Sequence, residues 1–157
     1  MFLHDVFSSE FIKFNLEADD KDEVFEELVD YLCDVGKLSA RKEILEALTE
    51  REAKMSTGIQ KGIAIPHGNT HAVDNVCGVL GISRKGIDYD ALDGEPVYLL
   101  FMVIAPTVNT EQHLRLLKRL AEMLENPQFC IELQSQRDTQ GAHKIICKYE
   151  DMLTTLE

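Results

Sequence analysis

The sequence predicts an α/β sandwich built as a single domain, and three observations lead to that fold class. Apolar runs of strand length alternate along the chain with segments in which apolar residues repeat every three to four positions. The run 97–105 is almost wholly apolar, which is typical of a central strand buried on both faces of a sheet. A length of 157 residues suits one domain, and no linker, repeat or low-complexity segment divides residues 1–157.

The first strand and the first helix follow the N-terminal residues. Residues 11–16 alternate weakly between apolar and polar side chains, which predicts a strand. Asp19 and Asp20 then offer N-cap oxygens to a helix that runs to about Val35, because its apolar residues share one helical face. Gly36 is predicted to end this helix at the C′ position.

A second helix, a loop and two strands are predicted next. Ser39 caps the helix, which fades near Arg51, and the polar residues 55–61 form the loop. Residues 62–66 and 76–82 are apolar enough to be the second and third strands. Glycines in the third strand indicate close approach of a neighbouring backbone.

Three more helices are predicted after the central strand. Asn109 caps the first of them, and Gln112 completes a capping-box pattern. Residues 129–133 form a short helix after an Asn-Pro break, and residues 138–156 form the last helix. Strands and helices are therefore interleaved along the whole chain.

Charge and composition exclude several classes of function. The net charge is -12, from 16 Lys and Arg against 28 Asp and Glu, which argues against binding nucleic acid or anionic membranes. The four cysteines show no CxxC spacing, so neither a zinc site nor a redox pair is indicated. No apolar stretch reaches about 18 residues, and the N-terminus does not resemble a secretory leader. We therefore expect no membrane insertion and a cytoplasmic location.

The candidate site centres on a strand that ends in a proline, His67 and Gly68. The run reads GIAIPHG, a pattern that presents one imidazole beside a backbone that a ligand can approach closely. Neutral imidazole is a nucleophile, and its phosphoryl derivative stays labile, so a phosphoryl relay between proteins is one interpretation. Arg51, Ser56 and Thr57 precede the strand and are candidate donors to phosphoryl oxygens. The chain lacks GxxxxGK[ST], GxGxxG, GxSxG and HExxH, which disfavours an enzyme with its own nucleotide site.

Simpler interpretations remain open for the other histidines. His67 and His71 are four residues apart and would share one face of a helix, where a metal could bind. The proline and glycine that flank His67 favour a turn instead, so we predict no metal site and a solvated His71. His113 lies in the first turn of a helix, where a backbone carbonyl would satisfy it.

Five motifs follow one another along the chain in a specific order. They are REA from Arg51, STGI from Ser56, GIAIPHG from Gly62, DGEPV from Asp93 and HL from His113. Together they resemble the signature of enzyme IIA domains of the fructose–mannitol class, which belong to the bacterial phosphoenolpyruvate:sugar phosphotransferase system. The likeness extends from about residue 3 to residue 156. It implies that residues 1–157 form one enzyme IIA domain, with a mixed β-sheet flanked by α-helices in three layers.

The resemblance also implies a phosphotransferase that works through a covalent phosphohistidine. The histidine after Ala-Ile-Pro, here His67, accepts the phosphoryl group from phosphorylated HPr or its nitrogen-branch counterpart and passes it to an enzyme IIB partner. The family's second histidine falls on His113, which would stabilise charge beside the more accessible His67. The family's arginine falls on Arg51, a clamp for phosphoryl oxygens. No cofactor and no metal are implied.

One position departs from the family pattern. Many members carry glycine where this chain has Gln60, and glycine adopts positive φ more readily than glutamine does. We therefore expect the loop before the site to differ locally, or Gln60 to contact the partner.

Three biological roles fit the resemblance. A nitrogen-regulatory enzyme IIA, which binds target proteins according to its phosphorylation state, is favoured because the sequence ends near the end of the domain with no IIB attached. The alternative is a sugar-transport enzyme IIA that passes the group to a fructose- or mannitol-type enzyme IIB. A binding-only regulatory module without transfer is disfavoured by the presence of both His67 and His113.

Overall fold

A six-stranded mixed sheet carries helices on both of its faces in the structure, a computed structural model that describes residues 1–155 and, for Gln60, the backbone alone. The strands are β1 (Ile12–Lys13), β2 (Gly58–Gln60), β3 (Ile63–Ala64), β4 (His67–Asn69), β5 (Cys77–Ile87) and β6 (Val97–Ala105). The helices are α1 (Leu3–Val6), α2 (Lys21–Gly36), α3 (Arg41–Lys54), α4 (Thr110–Leu124), α5 (Pro127–Ser135) and α6 (Thr139–Thr155). The predicted fold class is confirmed. Within residues 1–155 no helix combines the length and hydropathy that a membrane span needs.

Strand β6 is the central strand of the sheet. It pairs antiparallel with β5 along one edge, and parallel first with β3 and then with β4 along the other. The strand order is therefore β1-β5-β6-β3-β2, with β4 continuing beside β6 where β3 ends. In this register His67 lies opposite Val103, near the C-terminal end of β6. The histidine is thus fixed at the end of the sheet by the most buried strand.

Two apolar cores lie on opposite faces of the sheet. Successive side chains of β6 point to opposite faces, so Phe101 packs with α4, α5 and α6, whereas Leu100 packs with α2 and α3. All but one of the nine residues of β6 are buried, the half-buried Tyr98 being the exception. The prediction of a central strand buried on both faces is therefore confirmed, at the bounds that the apolar run gave.

The predictions for the other strands are partly wrong. Segment 55–61, predicted as a loop, contains β2, which pairs with β3. The strand predicted over 11–16 shrinks to β1, and Asn15 has a left-handed φ of 56°. The strand predicted over 62–66 shrinks to β3, and Pro66, which has no N–H to donate to a ladder, separates it from β4. The turn expected around His67 is wrong, because His67 begins β4. The strand predicted over 76–82 is extended in β5 by its pairing with β6.

The helix ends follow the predictions in part. Asp20 is confirmed as the N-cap of α2, where its carboxylate accepts the N–H of the third helical residue at 2.9 Å. Gly36 remains helical, and Lys37 instead takes the left-handed conformation, with φ 54°. Ser39 does not cap α3, which begins one residue too late for it. Asn109 occupies the N-cap position of α4 in a left-handed conformation and makes no side-chain cap bond there.

Helix α1 has no counterpart in the predictions. The buried carboxylate of Glu150, on α6, accepts the backbone N–H groups of Leu3 at 2.6 Å and His4 at 3.0 Å. An anion at the first turn satisfies amides that a short helix cannot pair internally. Helix α1 therefore depends on a residue 147 positions away in the sequence. The end predicted for the last helix, at Leu156, lies outside the described residues.

Candidate functional site

His67 and His113 meet in a cleft of about 510 Å³ between α3, β4 and α4. His67 is the first residue of β4, and His113 lies in the first turns of α4. Their ring centroids are 5.9 Å apart, and the ring planes are inclined by 70°. The fold thus brings together two histidines that are well separated in the sequence, as the resemblance implies.

The ring of His67 has a defined protonation pattern. Its Nδ1 atom lies 2.8 Å from the carbonyl oxygen of Ile65. A carbonyl only accepts hydrogen bonds, so Nδ1 carries the proton and Nε2 keeps its lone pair. Burial lowers the pKa of His67 below its ordinary value; the Ile65 hydrogen bond opposes this shift, and the charge of Arg51 adds to it. His67 is therefore a neutral imidazole with a nucleophilic Nε2 near pH 7.

His113 is more deeply buried than His67, with 4% of its surface exposed. Its Nδ1 atom lies 3.2 Å from the side-chain nitrogen of Asn69, a residue of β4. Its Nε2 atom is buried and has no hydrogen-bond partner among the described residues. Burial, and secondarily His67, lower the pKa of His113. The interpretation in which a backbone carbonyl satisfies this histidine is therefore wrong, because the recorded partner of Nδ1 is a side-chain amide.

Arg51 lies in the last turn of α3 and lines the same cleft. Its Nη1 atom donates a hydrogen bond of 3.0 Å to the carbonyl of Met55. The guanidinium is close enough to His67 to lower the pKa of that histidine. The cleft consequently holds the fixed positive charge of Arg51 beside the two imidazoles, which suits an anionic group, and Lys54 and Glu50 also line it.

Gly68 allows α3 to pack directly against β4. A Cβ atom at this position would lie 2.9 Å from the backbone carbon of Ala47 and 3.0 Å from its oxygen. Backbone atoms cannot move aside cheaply, so a larger residue would push α3 away from the cleft. Gly68 lines the cleft. Close approach of a ligand to its backbone stays a prediction.

The two hydroxyl residues of the STG motif point elsewhere. Thr57 is buried, and its Oγ1 and backbone N–H donate hydrogen bonds of 2.6 and 2.8 Å to the Glu52 carboxylate. The Ser56 hydroxyl accepts the N–H of Gly58 at 3.1 Å. Neither residue lines the cleft. A contact between these hydroxyls and a phosphoryl group stays a prediction.

Glu52, Thr57, Tyr89 and Lys21 form a polar network outside the cleft that sequence reasoning missed. The Glu52 carboxylate accepts from Thr57 and from the Tyr89 hydroxyl at 3.2 Å, and it pairs with Lys21 at 3.1 Å. Burial raises the pKa of Glu52, but the Thr57 hydrogen bonds and the Lys21 ion pair together bring it below its ordinary value. Nothing in the local sequence identifies this network, because its members come from α2, α3 and two separate segments.

Asn69 is a second residue of the site that sequence reasoning missed. It lines the cleft together with His67, because residues two apart on a strand share a side. Its side-chain nitrogen contacts His113 and the carbonyl oxygen of Pro106, both at 3.2 Å. The two-residue spacing from His67 is the signal that would have found it.

His71 lies outside the cleft and is exposed, as predicted. Its Nδ1 atom is 2.8 Å from the Thr107 hydroxyl. In the part of the chain that the structure describes, no group of three or more His, Cys, Asp or Glu side chains is placed to hold a metal ion. The side chain of Gln60, for which contact with a partner was one of two expectations, lies outside the part of the structure that is described.

Known proteins resemble this chain in sequence and in fold. The sequence model of the family described as the phosphoenolpyruvate-dependent sugar phosphotransferase system, EIIA 2, matches residues 5–149. A fructose-specific EIIABC component from Bacillus subtilis is 43% identical over 113 residues, which are 72% of this chain but 18% of that protein. A fructose-specific EIIA component from Haloferax volcanii is 40% identical over 104 residues, 66% of this chain and 68% of that protein.

A solved structure shares the whole architecture. The crystal structure of the nitrogen regulatory protein IIA-Ntr from Neisseria meningitidis matches with a TM-score of 0.84 at 29% identity. The match covers 92% of this chain and 98% of that one. The relatives of this fold therefore include sugar-specific and nitrogen-regulatory proteins.

Proposed function

The chain belongs to the EIIA 2 family of the phosphoenolpyruvate-dependent sugar phosphotransferase system, and from this premise we propose that it carries a phosphoryl group on Nε2 of His67. The observation that supports the proposal best is the hydrogen bond from His67 Nδ1 to the Ile65 carbonyl. It holds the proton on one ring nitrogen and leaves the other, in the cleft, with a free electron pair.

The transfer is an in-line displacement at phosphorus. The Nε2 lone pair forms the new N–P bond while the bond to the donor's histidine breaks, and the donor nitrogen keeps the electron pair of that bond. The Nδ1 proton stays on His67, so the ring becomes positive as the bond forms. The Ile65 carbonyl dipole faces that positive charge and stabilises it.

His113 and Arg51 stabilise the phosphoryl oxygens in this proposal. The Nε2 atom of His113 is buried without a partner among residues 1–155, and a hydrogen-bond donor in that state gains most from an arriving anion. Arg51 adds a guanidinium, whose planar fork matches the geometry of phosphoryl oxygens. Positioning and electrostatics supply the catalysis, and the step needs no metal or nucleotide.

The donor in this proposal is phosphorylated HPr or its nitrogen-branch counterpart. A net charge of -12 favours encounter with a basic face on such a donor. For the acceptor, the 43% and 40% identities to fructose-specific proteins favour a sugar-type enzyme IIB. The match to the IIA-Ntr structure supports a second candidate role, binding of regulatory targets according to phosphorylation state.

Labelling from phosphoenolpyruvate, with enzyme I and HPr present, tests the carrier function. The wild type and His71→Ala, a histidine substitution outside the cleft, should be labelled equally, and His67→Ala should not be labelled. His113→Ala should accept the group more slowly and also return it more slowly. Labelling of His67→Ala at the wild-type level would falsify the proposal.

A second experiment separates the two acceptor classes. Labelled protein is mixed with a fructose-type enzyme IIB, and loss of label to that acceptor supports the transport role. If the label stays, affinity capture with His67→Glu and His67→Ala as baits identifies partners that depend on charge at this position. Transfer without state-dependent partners argues against regulation, and the converse argues against transport.

A further inference from the structure

The side-chain amide of Asn69 has a defined orientation. Its nitrogen lies 3.2 Å from the carbonyl oxygen of Pro106 and 3.2 Å from Nδ1 of His113. The Pro106 carbonyl only accepts hydrogen bonds, so the group that faces it is the NH₂ and not the amide oxygen. One N–H therefore points to Pro106, and the second is available for His113.

This orientation determines the protonation of His113. A nitrogen that receives a hydrogen bond from an amide N–H has no proton of its own, so Nδ1 of His113 is the acceptor. In the neutral ring the proton then resides on Nε2, the buried atom without a partner among the described residues. His67 has the opposite pattern, with its proton on Nδ1. The two rings therefore differ in tautomer although they share one cleft.

We propose that Asn69 is a positioning residue that sets the tautomer of His113, so that His113 presents an Nε2–H to the phosphoryl group on His67. The second half of this statement rests on the proposed function, whereas the first half does not. Asn69 acts through His113 and does not itself touch the phosphoryl group. With the other tautomer, His113 would direct a lone pair at the phosphoryl oxygens and repel them.

Nitrogen-15 NMR of the histidine side chains tests the tautomer in the unphosphorylated protein. At a pH where His113 is neutral, we expect a protonated Nε2 and an unprotonated Nδ1 in the wild type. In Asn69→Asp a carboxylate can only accept, so the proton should move to Nδ1. Asn75→Asp is the matched control, because it adds the same charge at an exposed position of the following segment and should leave the wild-type pattern.

Two results would overturn the proposal. One is a protonated Nδ1 on His113 in the wild type, a measurement that needs no variant and is unaffected if Asn69→Asp fails to fold. The other is an Asn69→Asp or Asn69→Ala protein that keeps the single wild-type tautomer.

The functional half is tested by transfer kinetics. Asn69→Ala, which adds no charge to the cleft, should still be labelled on His67, but about tenfold more slowly, since a hydrogen bond to a charged group is lost in the transition state. Asn75→Ala should transfer at the wild-type rate. Equal rates for both variants would overturn the functional half. Absence of label on wild-type His67 would instead defeat the proposed function and leave the tautomer result intact.

Discussion

The Nδ1 atom of His67 lies 2.8 Å from the carbonyl oxygen of Ile65. The N–H of the same residue is hydrogen-bonded toward the interior of the protein. The N–H of Ile65 donates to the carbonyl of Thr57 at 3.1 Å, and Thr57 in turn donates to the buried Glu52 carboxylate. The orientation of the His67 ring is thus connected, through the main chain of Ile65 and Thr57, to the buried Glu52 carboxylate. Five predictions concern this arrangement and the residues around it.

The rate of phosphoryl acceptance should depend on pH through His67. Burial lowers the pKa of His67 below its ordinary value of 6.5, and only the neutral ring has a free Nε2 lone pair. The rate should therefore rise with pH, pass its midpoint below 6.5 and level off at higher pH. Initial labelling rates at donor concentrations well below saturation report the free protein and are compared with an NMR titration of His67. A midpoint above 6.5 in both measurements contradicts the assignment.

Glu52→Ala should lower the free energy of unfolding by about 3 kcal/mol, because it leaves the Thr57 N–H buried without an acceptor and removes the carboxylate that accepts from the Thr57 and Tyr89 hydroxyls. Glu46→Ala, an exposed position of the same helix, should change it by less than about 0.5 kcal/mol. Urea unfolding at pH 7 gives both values.

The difference in unfolding free energy between the wild type and Glu52→Ala should depend on pH. The pKa of Glu52 in the folded protein lies below its ordinary value of 4.5, so its contribution is present above that pH and is lost as the pH falls through the folded value. The difference in unfolding free energy between the wild type and Glu52→Ala should therefore shrink below pH 4.5. A difference that grows in acid would show that the carboxylate is not held in its charged form.

Gly68→Ala should disturb both stability and transfer. The added Cβ would lie 2.9 Å from the backbone of Ala47, so α3 must shift, and we expect a loss of about 1–3 kcal/mol together with slower labelling. Gly36→Ala is the matched control, since its nearest contacts are at 3.6 Å and its stability should not fall. Equal behaviour of the two variants would mean that close packing at Gly68 is unimportant.

Arg51→Lys should slow phosphoryl acceptance about tenfold while leaving the free energy of unfolding within about 0.5 kcal/mol of the wild type. Lysine keeps the charge but loses the planar fork, and among the described residues the hydrogen bond of Arg51 is to the Met55 carbonyl. Arg115→Lys, in an exposed ion pair on α4, should leave both quantities unchanged. Wild-type kinetics for Arg51→Lys would show that charge alone suffices at this position.

Elements with a strong local pattern could be predicted from the sequence, and elements that exist only through pairing could not. Strand β6 has nine residues, eight of them buried, so its apolar run is visible without knowing its neighbours. Strand β2 lies in the segment predicted as a loop and acquires strand geometry by pairing with β3. The short extents of β1 and β3 are likewise set by their pairing with β5 and β6. The short helix α1 likewise depends on the distant Glu150. Non-local partners leave no periodicity in the segment itself.

The site divides in the same way. His67, and Arg51 as a candidate donor, were named from the local sequence, whereas the role of His113 required the resemblance, because His113 lies on a distant element. Asn69 and Glu52 were missed although both are close in sequence to a predicted residue. Their roles depend on contacts with His113 and Tyr89, which the fold alone brings near.

The hydrogen bond between His67 and the Ile65 carbonyl also bears on how the phosphoryl group departs. A ring that keeps its Nδ1 proton leaves phosphorus as neutral imidazole, whereas a ring that had lost this proton would have to leave as an imidazolate anion, a far poorer leaving group. In the proposed transfer, a single backbone oxygen therefore favours His67 both as the nucleophile when the group arrives and as the leaving group when it departs. A relay must accept the group and also release it. The proposed basis for both steps is a main-chain oxygen, so we expect it to tolerate most side-chain substitutions at position 65.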